Sequence, residues 1–135
     1  MSDPAEQLEA FLQRVPYVRF LGMRAELSGD EMTAILPFAP HLVGNSNLPA
    51  LHGGVIGAFL ELTALLRLVD ESGLENVPRP ISFTIDYLRS AGPRETRASA
   101  EIFKLGRRIS HVHVIAWQEE RDRPVAAANG KFLMA

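Results

Sequence analysis

A stretch of almost unbroken apolar residues, His52–Val69, places the strongest constraint on how this chain folds. A helix that is apolar on every side has to be buried, so the rest of the chain must wrap it. Two glycines, Gly53 and Gly54, stand at its start, and Glu61 lies about two turns further on. The pattern predicts a long central helix over residues 52–72. It also places a carboxylate inside the protein, where an unpaired charge is costly.

Length and composition limit the classes of protein that this chain can be. Its 135 residues, 47% of them hydrophobic, predict a single domain over residues 1–135 with a sizeable core. A net charge of −2 creates no strong field for nucleic acid or an anionic membrane. The absence of cysteine excludes disulfides, thiolate metal ligands and cysteine nucleophiles. With neither a signal-peptide pattern nor an uninterrupted membrane span, we expect a cytoplasmic protein.

Periodicity predicts the elements that precede the central helix. Residues 1–15 hold an N-terminal helix, Pro4–Arg14, whose apolar residues recur at helical spacing and which a proline ends. Two short strands, Met23–Leu27 and Glu31–Leu36, flank a Ser-Gly-Asp turn. The segment Pro37–Ala50 is expected to be a loop, and loops of this length are usually functional or disordered.

Alternating apolar and polar residues predict four strands after the central helix. Short turns join them, so we expect them to pair as antiparallel neighbours. The order of helix, two strands, loop, buried helix and four strands indicates the α+β class, with one antiparallel sheet wrapped around the central helix. The predicted strands are Ile81–Tyr87, Arg97–Lys104, Ile109–Gln118 and Val125–Met134.

Several motifs along the chain occur together in one known family. A Gly-Asn-x-Asn run lies at Gly44–Asn47, and His52–Gly54 is followed, nine positions after the histidine, by the acid Glu61. A Tyr-Leu-Arg strand end lies within Asp86–Ala91, and a Gly-Arg-Arg turn lies at Gly106–Arg108. With the order of elements, these motifs resemble the hotdog-fold acyl-CoA thioesterases, in particular the PaaI-like and 4-hydroxybenzoyl-CoA thioesterase branch.

The resemblance implies an activity and an assembly. The substrate would be an acyl-CoA thioester, hydrolysed to the free acid and coenzyme A. No metal or redox cofactor would be needed, because coenzyme A belongs to the substrate. The resemblance also implies a homodimer, often paired into a homotetramer.

The chemistry of thioester hydrolysis gives the central motif a role independently of the family. Gly53 and Gly54 open a helix, where unpaired backbone N–H groups meet the positive end of the helix dipole. Because glycine has no side chain, a thioester carbonyl can approach these donors closely, as in an oxyanion hole. Glu61 would act as general base for water, or as a nucleophile through an anhydride. Partial burial is expected to raise the pKa of this carboxyl toward neutrality.

The spacing of these groups predicts a shared active site. Gly54 and Glu61 are seven residues apart, which is about 10 Å along a helix and too far for both to touch one carbonyl. We therefore expect an obligate homodimer in which antiparallel central helices face each other across a two-fold axis, each site using groups of both subunits.

Further residues are candidates for supporting roles. Asn47 or Asn45 would orient water or the thioester carbonyl, and His52 is expected to hold the loop by hydrogen bonds. Relatives often carry a hydroxyl residue at the start of the strand after the helix, where this chain has Pro80. Three hydroxyl residues are possible substitutes: Thr63, Ser82 and Thr84.

The substrate pocket is expected to combine small, apolar and cationic residues. Gly57 leaves room for an acyl chain, and Phe83 contributes to an apolar wall, which suits both aryl and medium-chain acyl groups. Guanidinium groups bind phosphates by charge-assisted hydrogen bonds, so the candidates for the phosphates of coenzyme A are Arg89, Arg107 and Arg108, with Lys104 beside them.

Less specific interpretations stand beside these. Glu61 could be a structural acid paired with Arg67, since ion pairs also perturb buried acids. The glycine pair could form only a tight turn, and the Gly-Arg-Arg turn only a solvated hairpin tip. His111 and His113 share a strand face, but no third metal ligand accompanies them, so no metal site is predicted.

Two other functions compete with thioester hydrolysis. A hotdog hydratase or dehydratase usually pairs a histidine with the acid differently, and no such pair is evident here. A non-catalytic acyl-CoA-binding or regulatory protein would keep the pocket without turnover, and Pro80 in place of a hydroxyl keeps that possibility open.

Overall fold

The structure is a computed structural model that describes residues 4–45, 47–73 and 77–134. Residues 1–3 of the predicted N-terminal segment and Ser46 of the predicted loop lie outside the described residues. The helices are α1 (Pro4–Arg14), α2 (Pro16–Leu21) and α3 (Gly53–Ser72), with a short 3-10 helix at Pro40–Leu42. The strands are β1 (Arg24–Ser28), β2 (Glu31–Leu36), β3 (Val43–Asn45), β4 (Leu48–Leu51), β5 (Arg79–Tyr87), β6 (Thr96–Leu105), β7 (Ile109–Trp117) and β8 (Ala126–Leu133).

Six of these strands form one sheet in the order β1-β2-β6-β7-β8-β5, and every neighbouring pair is antiparallel. The strand β5, which follows α3 in the chain, therefore lies at one edge of the sheet. In the described part of the chain, the other two strands, β3 and β4, form a separate two-stranded sheet. The predicted α+β hotdog architecture, an antiparallel sheet around one long helix, is confirmed.

The helix α3 supplies much of the core, as its apolar sequence predicts. It packs against β6, β7 and β8 on one side and against α1 on another. Many of its side chains have almost no solvent exposure, among them Phe59, Leu60, Leu66 and Leu68. Over the described residues, no helix is long and apolar enough to cross a membrane.

The structure corrects the prediction for the segment between β2 and α3. The predicted loop Pro37–Ala50 contains the 3-10 helix and the β3–β4 hairpin, whose strands are too short to show a clear alternation. The helix α2 was also missed, because Pro16 looks like a helix end. In the structure this proline is the first residue of α2, a position that suits proline, and Gly22 closes the helix with φ +74°.

Candidate active site

The start of α3 is shaped by His52. This residue has extended backbone angles and caps the helix, since its Nδ1 accepts a hydrogen bond of 2.9 Å from the Gly54 N–H. Its own N–H donates to the Leu42 carbonyl at 2.9 Å, which joins the cap to the end of the 3-10 helix. Gly44 of β3 lies against the ring, and a Cβ there would approach His52 Cδ2 to 3.0 Å. His52 therefore holds the helix start and the preceding hairpin together.

The first turn of α3 leaves a backbone donor open beside this cap. In the described part of the chain, the Gly53 N–H has no hydrogen-bond acceptor. The carbonyl of the same residue accepts a 2.8 Å hydrogen bond from the Tyr87 hydroxyl at the end of β5. Sequence reasoning gave Tyr87 no role, although it lies within the Tyr-Leu-Arg motif. Its contact with Gly53 depends on strand placement, which no local pattern reveals.

Glu61 lies on α3 about two turns beyond this donor. Its side chain is half-buried, and burial raises the pKa of its carboxyl above the usual value for glutamate. Among the residues that the structure describes, Glu61 makes neither an ion pair nor a hydrogen bond. Arg67 instead pairs with Glu71 at 3.0 Å, so the interpretation of Glu61 as a structural partner of Arg67 is wrong.

The side of α3 that carries Glu61 is its less buried side. Residues four apart are neighbours on a helix, so Glu61 follows Gly53 and Gly57 along the side that borders β5. Leu62 and Leu65, on the adjoining surface, each keep 8% exposure. Because α3 is one continuous helix, a single chain does not bring Glu61 to the Gly53 donor.

The two candidate asparagines have different surroundings. Oδ1 of Asn45 accepts a 2.9 Å hydrogen bond from the backbone N–H of Asn47, which closes the turn between β3 and β4. The Asn47 side chain is exposed beside that turn. The Asn45 side chain therefore stabilises the turn. The turn does not use the side-chain amide of Asn47, which can contact a ligand.

A cavity of about 330 Å³ adjoins the helix start. Its wall is largely apolar and includes Gly53, Ile56, Tyr87 and Leu88, with Arg89 at its border. The Arg89 Nε donates to the Pro124 carbonyl at 3.1 Å, which holds this side chain beside the cavity. A pocket that is mostly apolar with a few placed polar groups is typical of a small-molecule site.

Other predicted residues lie elsewhere in the chain. Arg107 and Arg108 form the β6–β7 turn, beside the end of β8 that pairs with the start of β5, so they lie at the opposite end of the sheet from Arg89. Phe83 packs edge-on against the buried Phe132, with ring centroids 6.2 Å apart. Gly57 faces β5 closely, because a Cβ there would lie 2.9 Å from Ile85 Cδ1.

Three hydroxyl residues were candidates to replace the one that relatives carry at the position of Pro80, and all three lie away from this site. Ser82 and Thr84 line a shallow depression on the outer face of the sheet, whereas their neighbours Phe83 and Ile85 pack against the core. Thr63 is fully buried and donates to the Phe59 carbonyl at 2.7 Å. None of the three is therefore placed to assist water at the start of α3.

The histidine pair on β7 lies on the same outer face. His113 Nδ1 is 3.0 Å from Asn129 Oδ1, and the His113 ring stacks on Phe103 with centroids 5.7 Å apart. Over residues 4–45, 47–73 and 77–134, no three histidine or acidic side chains form a group that could hold a metal ion.

Comparisons with known proteins show the family of this chain. The sequence model of a family described as the acyl-CoA thioesterase N-terminal domain matches residues 44–133. The medium/long-chain acyl-CoA thioesterase YigI of Escherichia coli strain K12 is 30% identical over 141 residues, which cover 93% of this chain and 90% of YigI.

Solved structures show the same fold. A protein from Chromobacterium violaceum is 34% identical, with a TM-score of 0.76 over 100% of this chain and 98% of that one. The Escherichia coli PaaI protein, from the phenylacetic acid degradation operon, has a TM-score of 0.83 at 14% identity, over 98% of this chain and 93% of PaaI.

The chain therefore belongs to the acyl-CoA thioesterase family. Within it, the protein has the hotdog fold and is a thioester hydrolase whose substrate is an acyl-CoA.

Proposed function

We propose that this protein hydrolyses medium- to long-chain acyl-CoA thioesters in the cytoplasm, as a homodimer with two shared active sites. The observation that carries the mechanism is that α3 holds both a backbone N–H at Gly53 and a half-buried carboxylate at Glu61 that have no hydrogen-bond partner within the described part of the chain. The proposed acyl class is the one stated in the name of the similar protein YigI, and the largely apolar cavity beside Gly53 suits a hydrocarbon chain.

The open Gly53 N–H is the proposed oxyanion donor. As the thioester carbonyl becomes tetrahedral, negative charge develops on its oxygen, and a donor already held in place stabilises that charge. The positive end of the α3 dipole acts in the same direction. The Gly54 N–H is less suited to this task, because the His52 ring already accepts its hydrogen bond.

Glu61 is the proposed general base. Its carboxylate accepts a proton from water while the water oxygen attacks the thioester carbon. The C–S bond then breaks, and the departing thiolate of coenzyme A takes up the proton. A raised pKa makes the carboxylate a stronger base, which is the direction that this role requires. No metal or redox cofactor enters these steps.

The free edge of β5 is the proposed dimer interface. A nine-residue strand at a sheet edge presents unpaired backbone groups that readily pair with another strand. Apolar side chains along β5 remain exposed, among them Ile81 at 53% and Tyr87 at 56%. Pairing with β5 of a second copy would continue the sheet, cover these side chains and bring the two α3 helices face to face.

The same β5–β5 pairing would bring together Arg89 of one subunit and the Arg107–Arg108 turn of the other, which lie at opposite ends of the sheet within one chain. Antiparallel β5 strands place the start of one against the end of the other, so the β6–β7 turn of the partner subunit lies at the end of the sheet that holds Arg89. We propose that Arg89 and that turn together bind the phosphates of coenzyme A, and that Asn47 contacts the thioester or the water.

Thiol release from a panel of aliphatic and aryl CoA thioesters tests the chemistry. We expect turnover to be fastest on medium to long chains, and Glu61→Gln to lower kcat/KM by about a hundredfold or more. Glu71→Gln is the matched control, because Glu71 lies on the same helix but pairs with Arg67. Equal rates for Glu61→Gln and wild type would remove Glu61 from the mechanism, and CoA binding without turnover would indicate a binding protein.

The dimer is tested by Ile81→Glu, which places a charge on the proposed interface at a side chain that is exposed in one chain. We expect sedimentation to show a species near the 14.9 kDa chain mass that has lost activity. Ile109→Glu, at an exposed position of β7, should keep the wild-type mass. A dimer that survives Ile81→Glu would contradict this interface.

A further inference from the structure

We propose that Tyr87 is a positioning residue that, together with His52, clamps the Gly53–Gly54 peptide and keeps the Gly53 N–H aimed at the thioester oxygen. This inference rests on the proposed function of Gly53 as the oxyanion donor. Tyr87 is neither the proposed donor, Gly53, nor the proposed base, Glu61, and it acts by holding the donor in position.

Both polar groups of one peptide unit are held from opposite sides. The Gly53 carbonyl accepts from the Tyr87 hydroxyl at 2.8 Å, and the N–H of the same peptide, that of Gly54, donates to His52 Nδ1 at 2.9 Å. One of these side chains comes from the edge strand β5 and the other from the helix cap. The peptide plane therefore cannot rotate without breaking a hydrogen bond.

A glycine pair needs such a clamp more than other residues would. Glycine has the widest range of backbone angles, so two in sequence give the first turn of α3 little intrinsic rigidity. An oxyanion donor is effective only when its direction is set before the charge develops. The Gly53 N–H belongs to the preceding peptide, whose His52 carbonyl accepts hydrogen bonds from the Val55 and Ile56 N–H groups at 3.0 and 3.1 Å. The clamped peptide adjoins it through the Cα of Gly53, so fixing that peptide removes the remaining freedom in the direction of the Gly53 N–H.

The packing around Tyr87 fits this task. Its ring lies 3.6 Å from the place where a Cβ on Gly53 would stand, and its hydroxyl lies 3.3 Å from the place of a Cβ on Gly57. Both glycines thus let the ring lie directly on the first turns of the helix. The side chain is 56% exposed, so it contributes little to the core.

The test is Tyr87→Phe, which keeps the ring and removes the hydroxyl. We expect kcat to fall about tenfold or more, since a misaligned donor loses much of its effect, while KM stays within about twofold because the apolar wall is kept. The acid side of the pH profile should not move, since Glu61 is unchanged. The matched control is Tyr17→Phe, which alters the chain's other tyrosine, exposed on α2 and stacked on Phe20, and should behave as wild type.

A second measurement does not depend on turnover. In wild type the Gly54 amide is held in the clamp, and in Tyr87→Phe we expect its hydrogen exchange to become about tenfold faster with an unchanged melting temperature. Unchanged exchange and unchanged kcat would overturn the clamp. The clamp would also be overturned if kcat fell while all α3 amides lost protection from hydrogen exchange equally and the melting temperature decreased. Tyr87 would then have only a structural role. Wild-type protein without thioesterase activity would instead contradict the proposed function, and the exchange measurement would still decide the clamp.

Discussion

Arg67 Nη1 lies 3.0 Å from a carboxylate oxygen of Glu71, one turn further along α3, and not against Glu61. The central helix therefore carries this ion pair toward its C-terminal end, and the half-buried Glu61 near its middle has no partner among the residues that the structure describes. Burial without pairing destabilises the charged form of Glu61, which is why its pKa is raised.

The first prediction concerns the pH dependence of activity. A general base has to be deprotonated, so kcat/KM should fall as pH decreases through the pKa of Glu61 in the free enzyme. Because burial raises that pKa, the acid limb should have its midpoint above the usual glutamate value of about 4.3. Initial rates on one acyl-CoA between pH 4 and 8 give the midpoint, after control scans show that the protein stays folded. A midpoint at or below the usual value would contradict a desolvated base.

The second prediction concerns the pH dependence of stability. A carboxyl whose pKa is raised by folding binds its proton more tightly in the folded state, so the free energy of unfolding decreases as pH rises through the folded pKa. Glu61→Gln removes this charge and should melt at a higher temperature than wild type at neutral pH. The difference should disappear below about pH 4.3, where the carboxyl is protonated in both states. Thermal unfolding of both proteins at matched pH values measures it, and a variant that is less stable at neutral pH would show that Glu61 has a stabilising partner.

The third prediction isolates the Gly53 N–H. Proline is well tolerated at the first position of a helix, and the extended backbone of His52 suits a residue before proline. Gly53→Pro should therefore fold while lacking the donor, with kcat lowered by about a hundredfold or more. Gly53→Ala keeps the N–H and places its Cβ in ordinary contact with the Tyr87 ring, so it should retain most activity. Similar kcat values for the two variants, with both folded by circular dichroism, would exclude this donor.

The fourth prediction tests whether active sites are shared. Gly53→Pro and Glu61→Gln are each expected to be inactive alone. When the two are unfolded together and refolded as a mixture, a heterodimer with shared sites contains one site with both intact groups. Random pairing would then recover about a quarter of wild-type activity. A mixture that stays as inactive as its components would place the donor and the base of each site in one chain.

Local sequence patterns predicted most of the fold because helix and strand periodicity records which side chains are buried. The apolar run around Phe59 and Leu66 predicted α3 nearly to its ends, and alternation predicted the strands of the main sheet. The helix α2 and the β3–β4 hairpin escaped prediction because each is shorter than the window in which a period becomes visible. Pro16, which both ends one helix and begins the next, shows that one local signal can mark two boundaries.

For the candidate site, the sequence by itself indicated the glycine pair Gly53–Gly54 as proposed donors, Glu61 as the proposed base, and the distance between them, because all three lie on one helix of regular rise. Only the tertiary structure decided that Arg67 turns to Glu71, that Tyr87 reaches the Gly53 carbonyl, and that Arg89 lies at the opposite end of the sheet from the β6–β7 turn. These relations join residues through strand order and register. Strand order and register are set by packing of the whole sheet against α3, and they cannot be inferred from a local pattern of apolar and polar residues.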